Sequence, residues 1–223
     1  MNILGFDTAT PETTVGLLTD AGEQFEARDE LAPGGRGRHA ERVLVQSYEL
    51  LADAKLAWTD LQVIAVGVGP GGYTGLRIGL ATAHGLALAH DAELVGVGTL
   101  RALAEPVRGV TAIAILDARR GELFAAAYLD DVEVLSPCVI TPLELPDVLG
   151  DAARRGALAV GAGALAQRDL LSRIGIEVAS EDSPRHHLCG GAICRLAARS
   201  PGRPATPLYL RRPDAERNLE AKR

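Results

Sequence analysis

Gly67-Val68-Gly69-Pro70-Gly71-Gly72-Tyr73-Thr74-Gly75-Leu76-Arg77 is the stretch on which the fold turns. It continues the apolar run Val63 to Val68, which reads as a buried strand. It opens a second apolar run, from about Thr74 to Ala89, whose spacing is helical. Strand, glycine-dense loop and helix in that order make an α/β unit. Glycine tolerates positive φ and lets another backbone come close. The loop lacks the Gly-Lys-Ser/Thr of a Walker A motif, and no acidic residue stands at the matching strand end of a dinucleotide fingerprint. It reads as a tight turn that delivers the next helix.

Working outward, Asn2 to Phe6 reads as a strand that ends at Asp7. Thr13–Thr19 and Gln24–Asp29 complete an antiparallel meander around the turn Asp20 to Glu23. Ala32 to Arg38, rich in Gly and Arg, is expected to be a flexible loop. His39–Ala54 is a helix with a broad apolar face formed by Val43, Leu44, Val45, Tyr48, Leu50 and Leu51. Beyond the central loop come a strand at Leu94–Val97 and a helix at Thr99–Glu105. The pattern restarts after Pro106 to Gly109. Thr111–Leu116 ends at Asp117, Ala118 to Gly121 turns, and Glu122–Leu129 returns. A strand near Val132–Leu135, a helix at Pro142–Leu149, a strand at Ala157–Val160, a turn at Gly161 to Gly163 and helices at Gln167–Ile174 and His187–Arg199 follow. Two halves that each open with a strand ending in Asp imply a pair of similar α/β lobes. The expected division is 1–103 plus 188–212 for the first lobe, 104–187 for a smaller second one, and 213–223 for a flexible polar tail.

Composition narrows the function. Of 223 residues, 47% are hydrophobic but only 4% aromatic, so Ala, Leu, Val and Ile build the core and too few rings remain for a nucleic-acid stacking platform. A net charge of -6 opposes an independent grip on a phosphate backbone. Cys138, Cys189 and Cys194 form no disulfide or zinc pattern. The five histidines, His39, His84, His90, His186 and His187, contain no i, i+4 pair, so neither a metal nor a cofactor is expected. No signal peptide and no bilayer-length apolar run are read from the sequence, which gives the expectation of a soluble, reduced, cytoplasmic protein with no membrane partner.

Two constellations stand out. Gly75, Gly79, Ala83 and Ala87 form a small-residue ridge at i, i+4 spacing, and such a ridge lets another helix approach closely. The plainer reading is burial inside this lobe; the sharper one makes the helix pair a docking surface, through His39, Val43, Tyr48, Leu51, Gly75, Leu76, Gly79, Leu80, Ala83 and Ala87. The second constellation is a degenerate nucleotide or anion site made from Asp7, Thr8, Thr10, Gly69, Gly71, Thr74, Asp117 and Arg119, with Gly161 to Ala164 as an adenosine-side turn. ATPases built from two such lobes hold phosphates between their strand pairs in this way. The plainer reading is that both aspartates cap turns. The alternative function that follows from the second constellation is a free-standing ATP-dependent kinase or ATPase.

Ile3-Leu4-Gly5-Phe6-Asp7-Thr8-Ala9-Thr10, His39-Ala40-Glu41, the Gly67–Arg77 loop, Gly96-Val97-Gly98-Thr99-Leu100, Asp117-Ala118-Arg119-Arg120-Gly121-Glu122 and Pro207-Leu208-Tyr209-Leu210-Arg211 occur in this order. Together they resemble the bacterial TsaB (YeaZ) family. Gly72 and Ala40 stand where the family usually has Ser. The resemblance implies the two-lobed fold of actin, Hsp70 and sugar kinases, with mixed sheets and flanking helices. It implies a non-catalytic subunit that binds and activates a TsaD-like homologue. With a TsaE-like ATPase, that complex transfers threonylcarbamoyl to adenosine 37 of ANN-decoding tRNAs, giving t6A. It further implies a homodimer when the protein is alone, and tRNA contacted at most indirectly.

Overall fold

The computed structural model describes residues 1–29, 38–154 and 156–211. Most of the Gly/Arg loop and the 213–223 tail named above therefore lie outside the described residues. Strands β1 (Ile3–Asp7), β2 (Thr13–Leu18), β3 (Gln24–Asp29), β4 (Val63–Gly67) and β5 (Glu93–Val97) form one sheet in the order β3-β2-β1-β4-β5. Strands β6 (Thr111–Arg119), β7 (Glu122–Leu129), β8 (Val132–Ile140), β9 (Ala157–Val160) and β10 (Glu177–Val178) form a second, in the order β10-β9-β6-β7-β8. In each sheet the first strand pairs antiparallel with its hairpin partner and parallel with the strand that follows a helix. The echo between the halves is therefore a repeated topology.

Helices α1 (His39–Asp53) and α2 (Tyr73–His90) cover one face of the first sheet over Leu4, Phe6, Val15, Leu17, Ile64 and Val66. Helices α3 (Thr99–Ala104) and α7 (Gly190–Arg199) lie between the sheets. Ile3, Ala65 and Val95 of the first sheet and Ala114, Phe124 and Ala126 of the second join them in one core. Helices α4 (Leu145–Arg154), α5 (Ala162–Ala166) and α6 (Arg168–Arg173) close the outer side of the second sheet. The α7 backbone lies directly on β2. A Cβ added at Gly16 would sit 2.2 Å from the Gly190 carbonyl carbon, so glycine on both sides is what permits the contact. Glu26 on β3 accepts from the Gly190 amide at 2.6 Å and satisfies one orphan donor of that helix.

The central layer is pinned by charge as well as apolar packing. Glu105, 3% exposed, receives Arg195 at 3.1 and 2.7 Å and Arg108 at 2.8 Å. Burial pushes its carboxyl up. The guanidiniums outweigh that and hold it below the usual carboxylate range.

Several boundaries differ from expectation. Gly161 to Ala164 is not an open turn, because Ala162–Ala166 is helical and Gly161, at φ 100°, precedes it. A Cβ at Gly161 would sit 2.3 Å from the Ile115 carbonyl oxygen, so the segment packs on β6. The last helix starts at Gly190, not His187. The preceding chain is a 3-10 turn, Pro184–His186, held by the buried His186, whose Nδ1 accepts from Gly161 N at 3.1 Å. No helix among the described residues is long and apolar enough to cross a membrane.

Candidate functional site

Asp7 ends β1 and is wholly buried. Its Oδ1 accepts from the Ala9 amide at 2.6 Å and its Oδ2 from the Thr99 hydroxyl at 2.7 Å. Thr99 Oγ1 in turn accepts from Gly69 N at 3.1 Å, and Gly69 O accepts from Thr99 N at 2.8 Å. Gly67 presses on the carboxylate so closely that a Cβ there would lie 1.9 Å from Oδ2. Burial raises the Asp7 carboxyl to about 6, against the two hydrogen bonds that lower it.

Thr8, Thr10, Gly71 and Asp117 of the expected nucleotide site are likewise engaged within the chain. Thr8 donates to Gly75 O at 2.8 Å, and Thr10 to Glu12 O at 3.3 Å. Gly71 lies against the Ala9 carbonyl, which accepts from Gly72 N at 2.6 Å. Asp117 is exposed and accepts from Arg119 N at 2.7 Å, and the Arg119 backbone is left-handed at φ 65°. Thr74 is exposed on α2. The expected site from Asp7, Thr8, Thr10, Gly69 and Gly71 is thus corrected to a sealed turn. Its carboxylate oxygens and the Ala9, Gly69 and Gly72 amides already have partners, and the Asp7 carboxylate has no exposed surface. Among the described residues no three His, Cys, Asp or Glu side chains gather as a metal site.

The docking surface also needs correction. The ridge Gly75, Gly79, Ala83 and Ala87 does permit close approach, but the approaching backbone belongs to the same chain. A Cβ at Gly75 would stand 2.0 Å from Thr8 O, and one at Gly79 2.3 Å from Thr8 Oγ1. Ala83 and Ala87, with Leu76, Leu80, Val43 and Leu51, are buried in the core under the two helices. His39 is partly buried, bonds Thr13 Oγ1 through Nδ1 at 2.8 Å, and is lowered by burial against the pull of Asp29. Of the expected set, Tyr48 faces out at 67% exposure.

A different face is open. On α1, Leu44 and Val45 join Tyr48 at the surface. On α2, Ala81, Gly85 and Ala89 form a second i, i+4 ridge, with Leu88 beside it at 87% exposure. A Cβ at Gly85 would meet nothing within 4 Å. The two helices touch and lie on one face of the sheet. The spacing of Leu44 with Tyr48 and of Ala81 with Gly85 was the available signal. It is masked because both helices are apolar on more than one side.

Comparison with known proteins bears on this geometry. A family model described as TsaD, tRNA N6-adenosine threonylcarbamoyltransferase, matches residues 35–152. An uncharacterized protein of Mycobacterium tuberculosis H37Rv is 34% identical over 96% of this chain and 93% of its own length. The tRNA threonylcarbamoyladenosine biosynthesis protein TsaB of Escherichia coli K12 is 38% identical over 59% of this chain and 56% of its own length. The crystal structure of YeaZ from Pseudomonas aeruginosa superposes with a TM-score of 0.74 at 26% identity, covering 94% of this chain and 99% of that one. A ROK hexokinase from Thermus thermophilus shares the fold at a TM-score of 0.51 and 12% identity over 89% of this chain and 99% of that one. With its two hairpin-led sheets, its ordered motifs and these relatives, the chain belongs to the TsaB (YeaZ) family.

Proposed function

We propose that this protein is a non-catalytic subunit of t6A formation. It binds and activates a TsaD-type synthase that transfers threonylcarbamoyl to adenosine 37 of ANN-decoding tRNAs, alongside a TsaE-like ATPase. The partner docks on the outward stripes of α1 and α2, and a second copy takes that face when the protein is alone. The lobe that docks is 1–103 with 188–212, and 104–187 is the second lobe.

The observation that carries the reading is the pairing of an open apolar helix face with a sealed acidic turn. Leu44, Val45, Tyr48 and Leu88 offer apolar area to a partner. Asp7, which an ATPase of this fold would need free, is enclosed. Relatives named for threonylcarbamoyladenosine biosynthesis supply the reaction. The test is reconstitution of tRNA modification with purified partner enzymes, with and without this chain. A yield of modified tRNA that does not change on omission refutes the proposal. Calorimetry of the isolated protein with Mg-ATP should give no binding heat. Heat and turnover would instead support an independent ATPase.

A further inference from the structure

Residues 202–211 have no regular secondary structure, yet they are fastened along their length. Gly202 N donates to Glu93 Oε1 at 2.6 Å, and Arg203 O accepts from Gly96 N at 2.9 Å. A Cβ at Gly96 would lie 2.4 Å from Pro204 O, so the segment rests on β5 itself. Leu208 N donates to Val68 O at 2.7 Å, and its carbonyl lies over Gly69. Tyr209 tilts against Tyr73 with ring centroids 5.2 Å apart, and its hydroxyl accepts from Arg77 Nε at 3.1 Å. The Arg77 guanidinium lies 4.0 Å over the Tyr73 ring. Leu210 packs into the layer between the sheets. Arg211 crosses to the second sheet, donates to Ala118 O, and pairs with Glu122 at 3.2 Å.

The element that Arg211 reaches is strained. Arg119, Arg120 and Gly121 have φ of 65°, 56° and 77°. Two consecutive arginines in the left-handed region persist only where their surroundings hold them. Asp117 Oδ1 on the Arg119 amide is one such restraint, and Arg211 on the Ala118 carbonyl is another. Tyr209 and Arg211 are two residues apart, so one short piece of chain touches both the first turns of α2 and this turn.

We propose that residues 202–211 are a conformational strap that couples the first turns of α2 to the β6–β7 turn. Displacing Tyr209 from Tyr73 and Arg77 draws Arg211 off Ala118 and Glu122 and lets the strained turn relax. The coupling requires no partner. Combined with the docking reading, it gives a partner seated on α2 a route to the second sheet.

Hydrogen exchange read by mass spectrometry on the full chain alone tests it, so the result stands apart from any failure of the docking reading. Tyr209→Ala should speed exchange in residues 117–123 by about tenfold, near the effect of losing one charge-assisted hydrogen bond, although its ring touches only α2. Arg211→Ala should speed exchange in residues 73–78 in return. The double variant should exceed neither single at either place, because both cut the same strap. Tyr209→Phe, which removes the hydroxyl and keeps the ring, should show the same pattern more weakly and decides the matter if Tyr209→Ala exchanges globally. Exchange that rises only at each variant's own contact, or at neither, overturns the proposal.

Discussion

Alanine at Gly75 and alanine at Gly85 should change stability in opposite directions, although both are glycine-to-alanine changes in α2. At Gly75 the new Cβ would stand 2.0 Å from the Thr8 carbonyl oxygen. That atom is backbone next to Asp7, so the β1–β2 connection must move by more than 1 Å to restore ordinary contact. Overpacking of this kind costs about 1–3 kcal/mol, and the helix preference of alanine returns about 1 kcal/mol. The net is a loss of up to about 2 kcal/mol, which lowers the Tm of a chain this size by up to roughly 8 °C. At Gly85 the Cβ enters open space, the strain is absent, and the gain of up to about 1 kcal/mol remains. Urea denaturation of the isolated protein, with m-values compared to confirm the same two states, measures both. If the two variants shift the midpoint the same way and within about 0.5 kcal/mol of each other, the inner ridge is not clamped by Thr8 and the corrected orientation of α2 is wrong.

The remaining predictions concern the carboxylates and the open face. Burial holds the Asp7 carboxyl at about 6, above its ordinary 3.8, so the native state binds this proton more tightly than the unfolded chain. Stability from this group therefore falls as pH rises from about 4 to about 6, by about 3 kcal/mol in all, and urea midpoints across that range should flatten in Asp7→Asn. Glu105→Gln should cost about 1–2 kcal/mol, because it takes the negative charge from the buried end of hydrogen bonds to the partly exposed Arg195 and Arg108; equilibrium unfolding at pH 7 reads the loss. Tyr48→Glu and Leu88→Glu should leave Tm within about 1–2 °C, since both side chains face solvent, yet weaken partner binding at least about thirtyfold in a titration with the TsaD-type protein. Unaltered affinity in both would place the docking surface elsewhere.

Much of the architecture was legible because short-range chemistry writes it. The run from Ile3 to Asp7 stops at an acidic residue, and β3 and β7 fall where alternation and turn residues put them. Three misreadings share a cause. β8 runs to Ile140 and not Leu135, because pairing with β7 carries the strand past a polar stretch and Pro137. α7 starts three residues late because His186 is held by Gly161, 25 positions away. The two-residue β10 exists only by pairing with β9. In each case the deciding partner is distant in sequence, and local propensity carries no trace of it.

The sequence by itself determined the α/β class, the doubled hairpin, the positions of α1 and α2 and the absence of a histidine metal motif, since each depends on periodicity, turn residues or spacing within a few turns of chain. Tertiary structure alone decided which side of those two helices meets solvent. Both are apolar on more than one stripe, so either side satisfies the hydrophobic pattern. The choice was made by the fit of Gly75 and Gly79 against Thr8, a contact between segments about 70 residues apart that closes only when β1 and β4 lie side by side.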